Sequence, residues 1–147
     1  MLRHLLRTER VEHILIIDDD RAFRWMLQQI LEIHGYVCRD VEDGEKALHA
    51  IDTEHFDLMI SDQNMPGMTG LQLLQQLSSR PKDKIPPVIL VTGYLPDSLR
   101  SSAQRAGVDA FLTKPFTHTE LLSVVRQVID PQEQTDIPLA RTKNTCQ

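Results

Sequence analysis

The chain has 147 residues, of which 41% are hydrophobic and 25% charged, and its formal net charge is −5. These values are typical of one soluble globular domain and argue against a surface that coats nucleic acid. No apolar run approaches the ~20 residues of a membrane span, and the N-terminus lacks a signal-peptide stretch. Cys38 and Cys146 form no disulfide framework, and the histidines show no metal-ligand spacing, so we expect a cytoplasmic protein.

The chain divides into three parts by composition. We expect residues 1–12 to form an N-terminal arm, 13–130 a single folded domain, and 131–147 a flexible tail or linker with few apolar residues. Within the domain, short apolar strands alternate with amphipathic helices. Strands are predicted at about 13–17, 36–40, 57–61, 88–91 and 109–113, and helices at about 21–34, 45–53, 69–79, 97–106 and 118–129.

The first helix shows the clearest apolar face. Phe23, Leu27, Ile30 and His34 follow the helical spacing, which turns Trp25 away from the core. We therefore predict that Trp25 is largely exposed. It either lies over neighbouring long side chains or docks a partner, since exposed aromatic residues are favoured in binding hot spots.

The other helices differ in how much apolar surface they bury. The fourth helix has a thin apolar face and is expected to be the least firmly held, whereas the fifth opens with a capping-box pattern and carries a wide face. The residues expected to pack inward are Cys38 in the second strand, Ala47, Leu48 and Ile51 in the second helix, Leu71, Leu74 and Leu77 in the third, and Leu99, Ala103 and Ala106 in the fourth.

Nearly all-apolar strands fit a parallel sheet that is covered on both faces, and right-handed crossovers then give a doubly wound α/β fold. We expect the flavodoxin-like strand order 2-1-3-4-5, in which ligands bind at the switch point between strands 1 and 3. Four strands end in polar side chains: strand 1 in Asp18, Asp19 and Asp20, strand 3 in Asp62, strand 4 in Thr92 and strand 5 in Lys114.

The two acidic strand ends are expected to lie side by side, because neighbouring strands are ~4.8 Å apart. Carboxylates this close need a cation, and oxygen ligands suit Mg²⁺. Lys114 is two strands from Asp62, a gap of about 10 Å that its side chain can largely close. The cation and Lys114 would neutralise phosphoryl oxygens, Thr92 would bind one of them, and Asp62 would act as the nucleophile.

Each of these residues, taken singly, is more readily a turn or capping residue, and Asp20 in particular can cap the first helix. The combination at four strand ends favours a site. The motifs Ile14–Asp20, Asp57–Gly70, Val88–Gly93 and Phe111–Phe116, with their order and spacing, resemble the receiver domain of two-component response regulators. The resemblance covers about 13–129.

The resemblance implies a role for each matching residue. Asp62 matches the phosphoacceptor, and Thr92 and Phe111 match the switch residues. Lys114 matches the phosphate-binding lysine, before a Pro115 that is usually cis. Mg²⁺ would be held by Asp18, Asp19, Asp62 and the backbone carbonyl of Asn64.

The implied function is regulatory and not enzymatic, apart from the domain's own phosphorylation and dephosphorylation. A sensor histidine kinase or histidine phosphotransfer protein would be the donor, and Trp25 would lie near its docking surface. The helix 4–strand 5–helix 5 face would then change for an unknown output partner or a homodimer. We expect no direct contact with nucleic acid or membrane.

Two other functions stay open on the residues alone. A Mg²⁺-dependent phosphohydrolase could use an Asp nucleophile, but such enzymes usually carry a second Asp beside it, and here Gln63 and Asn64 follow Asp62. A docking module indifferent to phosphate is the other alternative, against which the intact acidic set argues.

Overall fold

The computed structural model describes residues 10–131. In this part of the chain five parallel strands form one sheet in the order β2-β1-β3-β4-β5, which confirms the predicted topology. The strands are β1 (His13–Ile17), β2 (Val37–Val41), β3 (Leu58–Asp62), β4 (Val88–Thr92) and β5 (Ala110–Thr113). The helices are α1 (Arg21–Ile33), α2 (Gly44–Thr53), α3 (Gly70–Leu77), α4 (Asp97–Arg105) and α5 (His118–Ile129), with a short 3-10 turn at Lys82–Lys84.

Helices cover both faces of the sheet. The strands β3 and β4 are buried along their whole length, and alternate side chains face opposite layers. Met59 and Leu90 pack with α2, α3 and α4, whereas Ile60 and Ile89 pack with α1 and α5. This is the doubly wound arrangement predicted from the apolar strands. No helix among residues 10–131 is both long and apolar enough to cross a bilayer.

Side-chain caps fix the starts of four helices, including α2, where the Asp43 carboxylate accepts a hydrogen bond from the N–H of Lys46 at 2.9 Å. Asp20 accepts hydrogen bonds from two backbone N–H groups in the first turn of α1, so it is a capping residue. The predicted capping box of α5, Thr117 with Glu120, is present. A second box, Thr69 with Gln72, starts α3 and escaped the sequence analysis although its residues fit the same pattern.

The strand ends differ slightly from the prediction. Strands β2 and β3 are each displaced by one residue toward the C-terminus, so Asp62 is the last residue of β3 instead of following it. Cys38, predicted to be buried, is only partly covered because β2 is an edge strand. The proposed arm and tail fall outside the described residues, apart from 10–12 and 131, so the division into three parts stays a prediction.

Two predicted helix faces were partly wrong. His34 is exposed because α1 ends at Ile33, and His34 caps it in a non-helical conformation. In α3 the buried leucines are Leu73, Leu74 and Leu77, while Leu71 is half-buried. The reason is that Gly70 lies against the sheet, which centres the inward face on Gly70 and Leu73.

Two other helix predictions were confirmed. The side chain of Trp25 is exposed, with 63% of its surface accessible. In α4 the one fully buried residue is Ala103, and Leu99 and Ala106 are half-buried against the core. The helix α4 is therefore held by little apolar surface.

Candidate functional site

Three carboxylates meet at the carboxyl edge of the sheet. Ile17 of β1 is paired with Ser61 of β3, so the following residues, Asp18 and Asp62, come side by side. One oxygen from each of Asp18, Asp19 and Asp62 lies within 4.8 Å of the others. Asp18 and Asp62 are buried, while Asp19 is exposed. The structure thus brings together the acidic residues that the sequence placed at two strand ends.

The carboxylate of Asp18 is incompletely satisfied. Its Oδ1 accepts a hydrogen bond from the backbone N–H of Asp20 at 2.8 Å, but its buried Oδ2 has no hydrogen-bond donor. Burial, with help from neighbouring Asp62, raises the pKa of Asp18 to about 6 despite that bond and the charge of Lys114. A buried carboxylate oxygen that lacks a hydrogen-bond donor, together with other carboxylate oxygens, forms the kind of donor set that a hard divalent cation prefers.

Lys114 supplies the positive charge beside this cluster. Its Nζ lies 3.4 Å from Asp62 Oδ1 and 4.0 Å from Asp18 Oδ2. Burial raises the pKa of Asp62, and Lys114 partly opposes that rise. The backbone holds Lys114 in place, since its N–H donates to the carbonyl of Thr92 at 2.8 Å. The peptide bond between Lys114 and Pro115 is cis.

The hydroxyl of Thr92 is engaged by its own loop. Thr92 is buried at the end of β4, where Oγ1 donates to the carbonyl of Tyr94 at 3.0 Å and accepts from the N–H of Tyr94 at 3.3 Å. Phe111 is half-buried in β5, and the guanidinium carbon of Arg100 in α4 lies 5.1 Å from its ring centroid. A change in the Thr92 loop or at Phe111 therefore has a direct route to α4.

The residues after Asp62 have structural contacts of their own. Gln63 Oε1 accepts from the N–H of Leu71 at 2.8 Å, and the carbonyl of Gln63 accepts from the N–H of Gly70 at 3.1 Å. Gln63 thus fastens this loop to α3 and is no substitute for a second catalytic acid. Asn64 is exposed in the same loop. Trp25, on the surface of α1, is not among the clustered residues.

Two contacts at the site were missed by the sequence analysis. Arg24 Nη1 donates to the carbonyl of Asp18 at 2.7 Å, and Lys114 Nζ lies 4.3 Å from the ring centroid of Phe23. Phe23 and Arg24 belong to the first turns of α1, directly after the acidic end of β1. That position was the available signal, because the first turns of a helix that follows such a strand end lie at the same edge of the sheet.

Comparisons with known proteins agree with this site geometry. The sequence pattern of the response regulator receiver domain matches residues 14–126. The chain belongs to the response regulator receiver family. A receiver domain protein of Methanospirillum hungatei JF-1, described as CheY-like, has a solved structure that aligns with a TM-score of 0.77 and 33% identity, covering 86% of this chain and 99% of that one.

This chain spans 26% and 55% of the length of two curated relatives that it matches. It is 35% identical over 123 residues to the DNA-binding transcriptional regulator NtrC of Klebsiella pneumoniae, covering 84% of this chain and 26% of that protein. It is 36% identical over 128 residues to the response regulator MprA of Mycobacterium sp. (strain KMS), covering 85% of this chain and 55% of that one. The similarity to both therefore concerns the receiver and not the rest of each relative.

Proposed function

We propose that this receiver takes a phosphoryl group onto Asp62 from the phosphohistidine of a sensor histidine kinase or a histidine phosphotransfer protein. The observation that carries the proposal is the ammonium of Lys114, 3.4 Å from Asp62 Oδ1 at the edge of the three-carboxylate cluster. This distance supports the proposal, because an ammonium beside Asp62 could neutralise an oxygen of an incoming phosphoryl group.

The acidic cluster fits Mg²⁺. The ion would be held by the side chains of Asp18, Asp19 and Asp62 and by the backbone carbonyl of Asn64. The assignment is supported by Oδ2 of Asp18, which is buried and has no hydrogen-bond donor. When bound, Mg²⁺ supplies positive charge that stabilises the oxygens of a transferring phosphoryl group.

Asp62 and Lys114 carry out the transfer step itself. A carboxylate oxygen of Asp62 attacks phosphorus, the P–O bond forms as the P–N bond to the donor histidine breaks, and the imidazole leaves with the electron pair. Lys114 stays protonated and contacts a phosphoryl oxygen throughout. Because burial raises the pKa of Asp62, the charge of Lys114 helps keep that carboxylate ionised for attack.

The switch would start at Thr92. Its hydroxyl, now bonded to Tyr94, would turn to a phosphoryl oxygen, and Phe111 would move inward behind it. Movement of Phe111 would disturb its contact with Arg100 and so reach α4. We propose the α4–β5–α5 face as the surface that an output partner or a second copy recognises, and Trp25 on α1 as part of the donor's docking surface. A cytoplasmic location fits such a donor.

The test is phosphorylation by acetyl phosphate with Mg²⁺, followed by mass spectrometry of the intact protein. We expect a stoichiometric, hydroxylamine-labile adduct that EDTA prevents. Asp62→Asn should abolish it, and Asp83→Asn, at an exposed carboxylate outside the cluster, should not. Failure of the wild-type protein to form the adduct would contradict the proposal. Repeated turnover of phosphate esters would instead indicate a phosphohydrolase.

A further inference from the structure

We propose that Phe23 is a positioning residue for Lys114: its ring face holds the ammonium between Asp62 and Asp18, so that the charge is in place before a phosphoryl group arrives. The inference rests on the proposed function, because it assigns to Phe23 a role in the same phosphoryl transfer.

The contact itself is direct. Lys114 Nζ lies 4.3 Å from the ring centroid of Phe23, well within the ~6 Å over which a ring face attracts a cation. The same nitrogen is 3.4 Å from Asp62 Oδ1 and 4.0 Å from Asp18 Oδ2. The ammonium therefore has three neighbours, two of them carboxylates and one an aromatic ring.

Neither carboxylate lies at the distance of a strong hydrogen bond to the ammonium. Strong charge-assisted N–H···O bonds measure about 2.7–2.9 Å, and both distances here are longer. A lysine also ends a flexible stem of four carbons, and 35% of this side chain is accessible to solvent. Without the ring, the ammonium could turn toward water or close onto Asp62. The ring keeps the ammonium near Asp62 and opposes both movements.

The ring is fixed from two sides. Phe23 belongs to the first turn of α1, and its backbone N–H donates to Oδ1 of the capping residue Asp20 at 3.3 Å. On the other side, Phe116 meets the ring of Phe23 edge to face, with centroids 6.0 Å apart and ring planes at 79°. Phe116 follows Lys114 by two residues, so the loop that carries the ammonium also packs against the ring that receives it.

A charge that is already oriented needs no rearrangement when negative charge develops, which is the condition under which it accelerates a reaction most. Phe23 would contribute through Lys114 and not by touching the phosphoryl group. Removing the ring while keeping an apolar side chain should thus slow phosphoryl transfer and leave the fold intact.

The first measurement is spectroscopic and needs neither Mg²⁺ nor a phosphodonor. In the wild-type protein, the ring current of Phe23 should displace the Hε resonances of Lys114 upfield. Phe23→Tyr should keep that displacement and Phe23→Leu should remove it. Phe56→Leu, the same change at a buried position in the opposite helical layer, should leave the resonances where they are. Unchanged Hε resonances in Phe23→Leu would overturn the proposal.

The second measurement is the rate constant of phosphorylation by acetyl phosphate at saturating Mg²⁺. Phe23→Leu should lower it roughly 2- to 30-fold, and Phe23→Tyr should restore it. In a Lys114→Met background, where the cation is absent, Phe23→Leu should have no further effect. An equal loss in that background would show that Phe23 acts only on the fold. If the wild-type protein forms no adduct on Asp62, the proposed function is wrong. The Hε measurement then still tests whether the ring of Phe23 contacts the ammonium of Lys114.

Discussion

Arg24 joins Asp18 to Asp40. Its Nη1 donates a hydrogen bond to the carbonyl of Asp18 and its Nε donates one to the carboxylate of Asp40, both at a distance of 2.7 Å. Asp40 belongs to β2, and the side chain of Arg24 is largely buried, with 13% of its surface accessible. One guanidinium therefore ties α1 and β2 to the segment that positions the acidic cluster.

Arg24→Ala should lower the free energy of unfolding by about 1–3 kcal/mol, because the carbonyl of Asp18 and the carboxylate of Asp40 both lose their charged donor. Asp40→Ala removes only the more exposed ion pair and should cost about 1 kcal/mol or less. Urea denaturation of both variants measures the difference. Equal losses would show that the bond to the Asp18 carbonyl contributes nothing.

The acidic cluster makes stability depend on pH when no divalent cation is present. The pKa of Asp18 rises from 3.8 to about 6 on folding, chiefly through burial. The folded state then holds a proton that the unfolded state releases, so stability falls as pH rises through this window. The shift of Asp18 corresponds to a loss of up to about 3 kcal/mol, and the raised pKa of Asp62 acts in the same direction.

The comparison that isolates this effect is wild type against Asp18→Asn, denatured in urea with EDTA at several pH values. The variant should become the more stable protein as the pH is raised toward neutrality. Asp57 gives the opposite slope: burial alone would raise its pKa, but the N–H of His13, with His55 and Arg10, lowers it. Since Asp57 is present in both proteins, it cancels. A constant difference between them across the window would refute the prediction.

Gly70 leaves no room for a side chain beside the end of β3, the strand that carries Asp62. A Cβ there would lie 2.6 Å from the carbonyl oxygen of Asp62 and 2.5 Å from Leu90 Cδ1. Gly70→Ala should therefore push α3 away, cost about 1–3 kcal/mol of stability and slow phosphorylation.

The matched control for that change is Gly93→Ala, because a Cβ at Gly93 meets nothing within 4 Å and its φ is not positive. Its free energy of unfolding should change by less than about 1 kcal/mol. Thermal and urea denaturation of the two variants side by side provide the measurement, and similar stabilities would contradict the proposed crowding at Gly70.

Thr92→Val separates phosphorylation from switching. Valine keeps the buried shape but removes the hydroxyl that now bonds to Tyr94. We expect Asp62 to be phosphorylated still, while the chemical-shift response of Phe111 and α4 to beryllium fluoride with Mg²⁺ becomes much smaller.

Thr113→Val is the corresponding control, since Thr113 lies opposite Thr92 in the β4–β5 pairing but is exposed. Its response to beryllium fluoride should equal that of the wild type. A full response in Thr92→Val would remove Thr92 from the switch.

Much of this site could be predicted because strand ends are easy to recognise. An apolar run that stops at Asp62, and another that stops at Asp18, indicate both the strands and their functional edge. Contacts across the sheet need more. Helical spacing predicts that Phe23 faces the core side of α1. It does not show that the ring contacts Lys114, which follows 91 residues later in the chain. Likewise the helical spacing allows the inward face of α3 to include either Leu71 or Leu73, and the close approach of Gly70 to the sheet decides between them.

Helix α4 buries little apolar surface, since Ala103 is its one fully buried residue, and this has a thermodynamic consequence. A helix with so little anchoring can be captured in another position at small cost in free energy. Suppose that a partner binds the phosphorylated arrangement more tightly by some factor. By reciprocity, the same partner raises the affinity of the receiver for a phosphoryl mimic by that factor. A partner that recognises the proposed phosphorylated state would therefore also raise the fraction of receiver that holds the mimic.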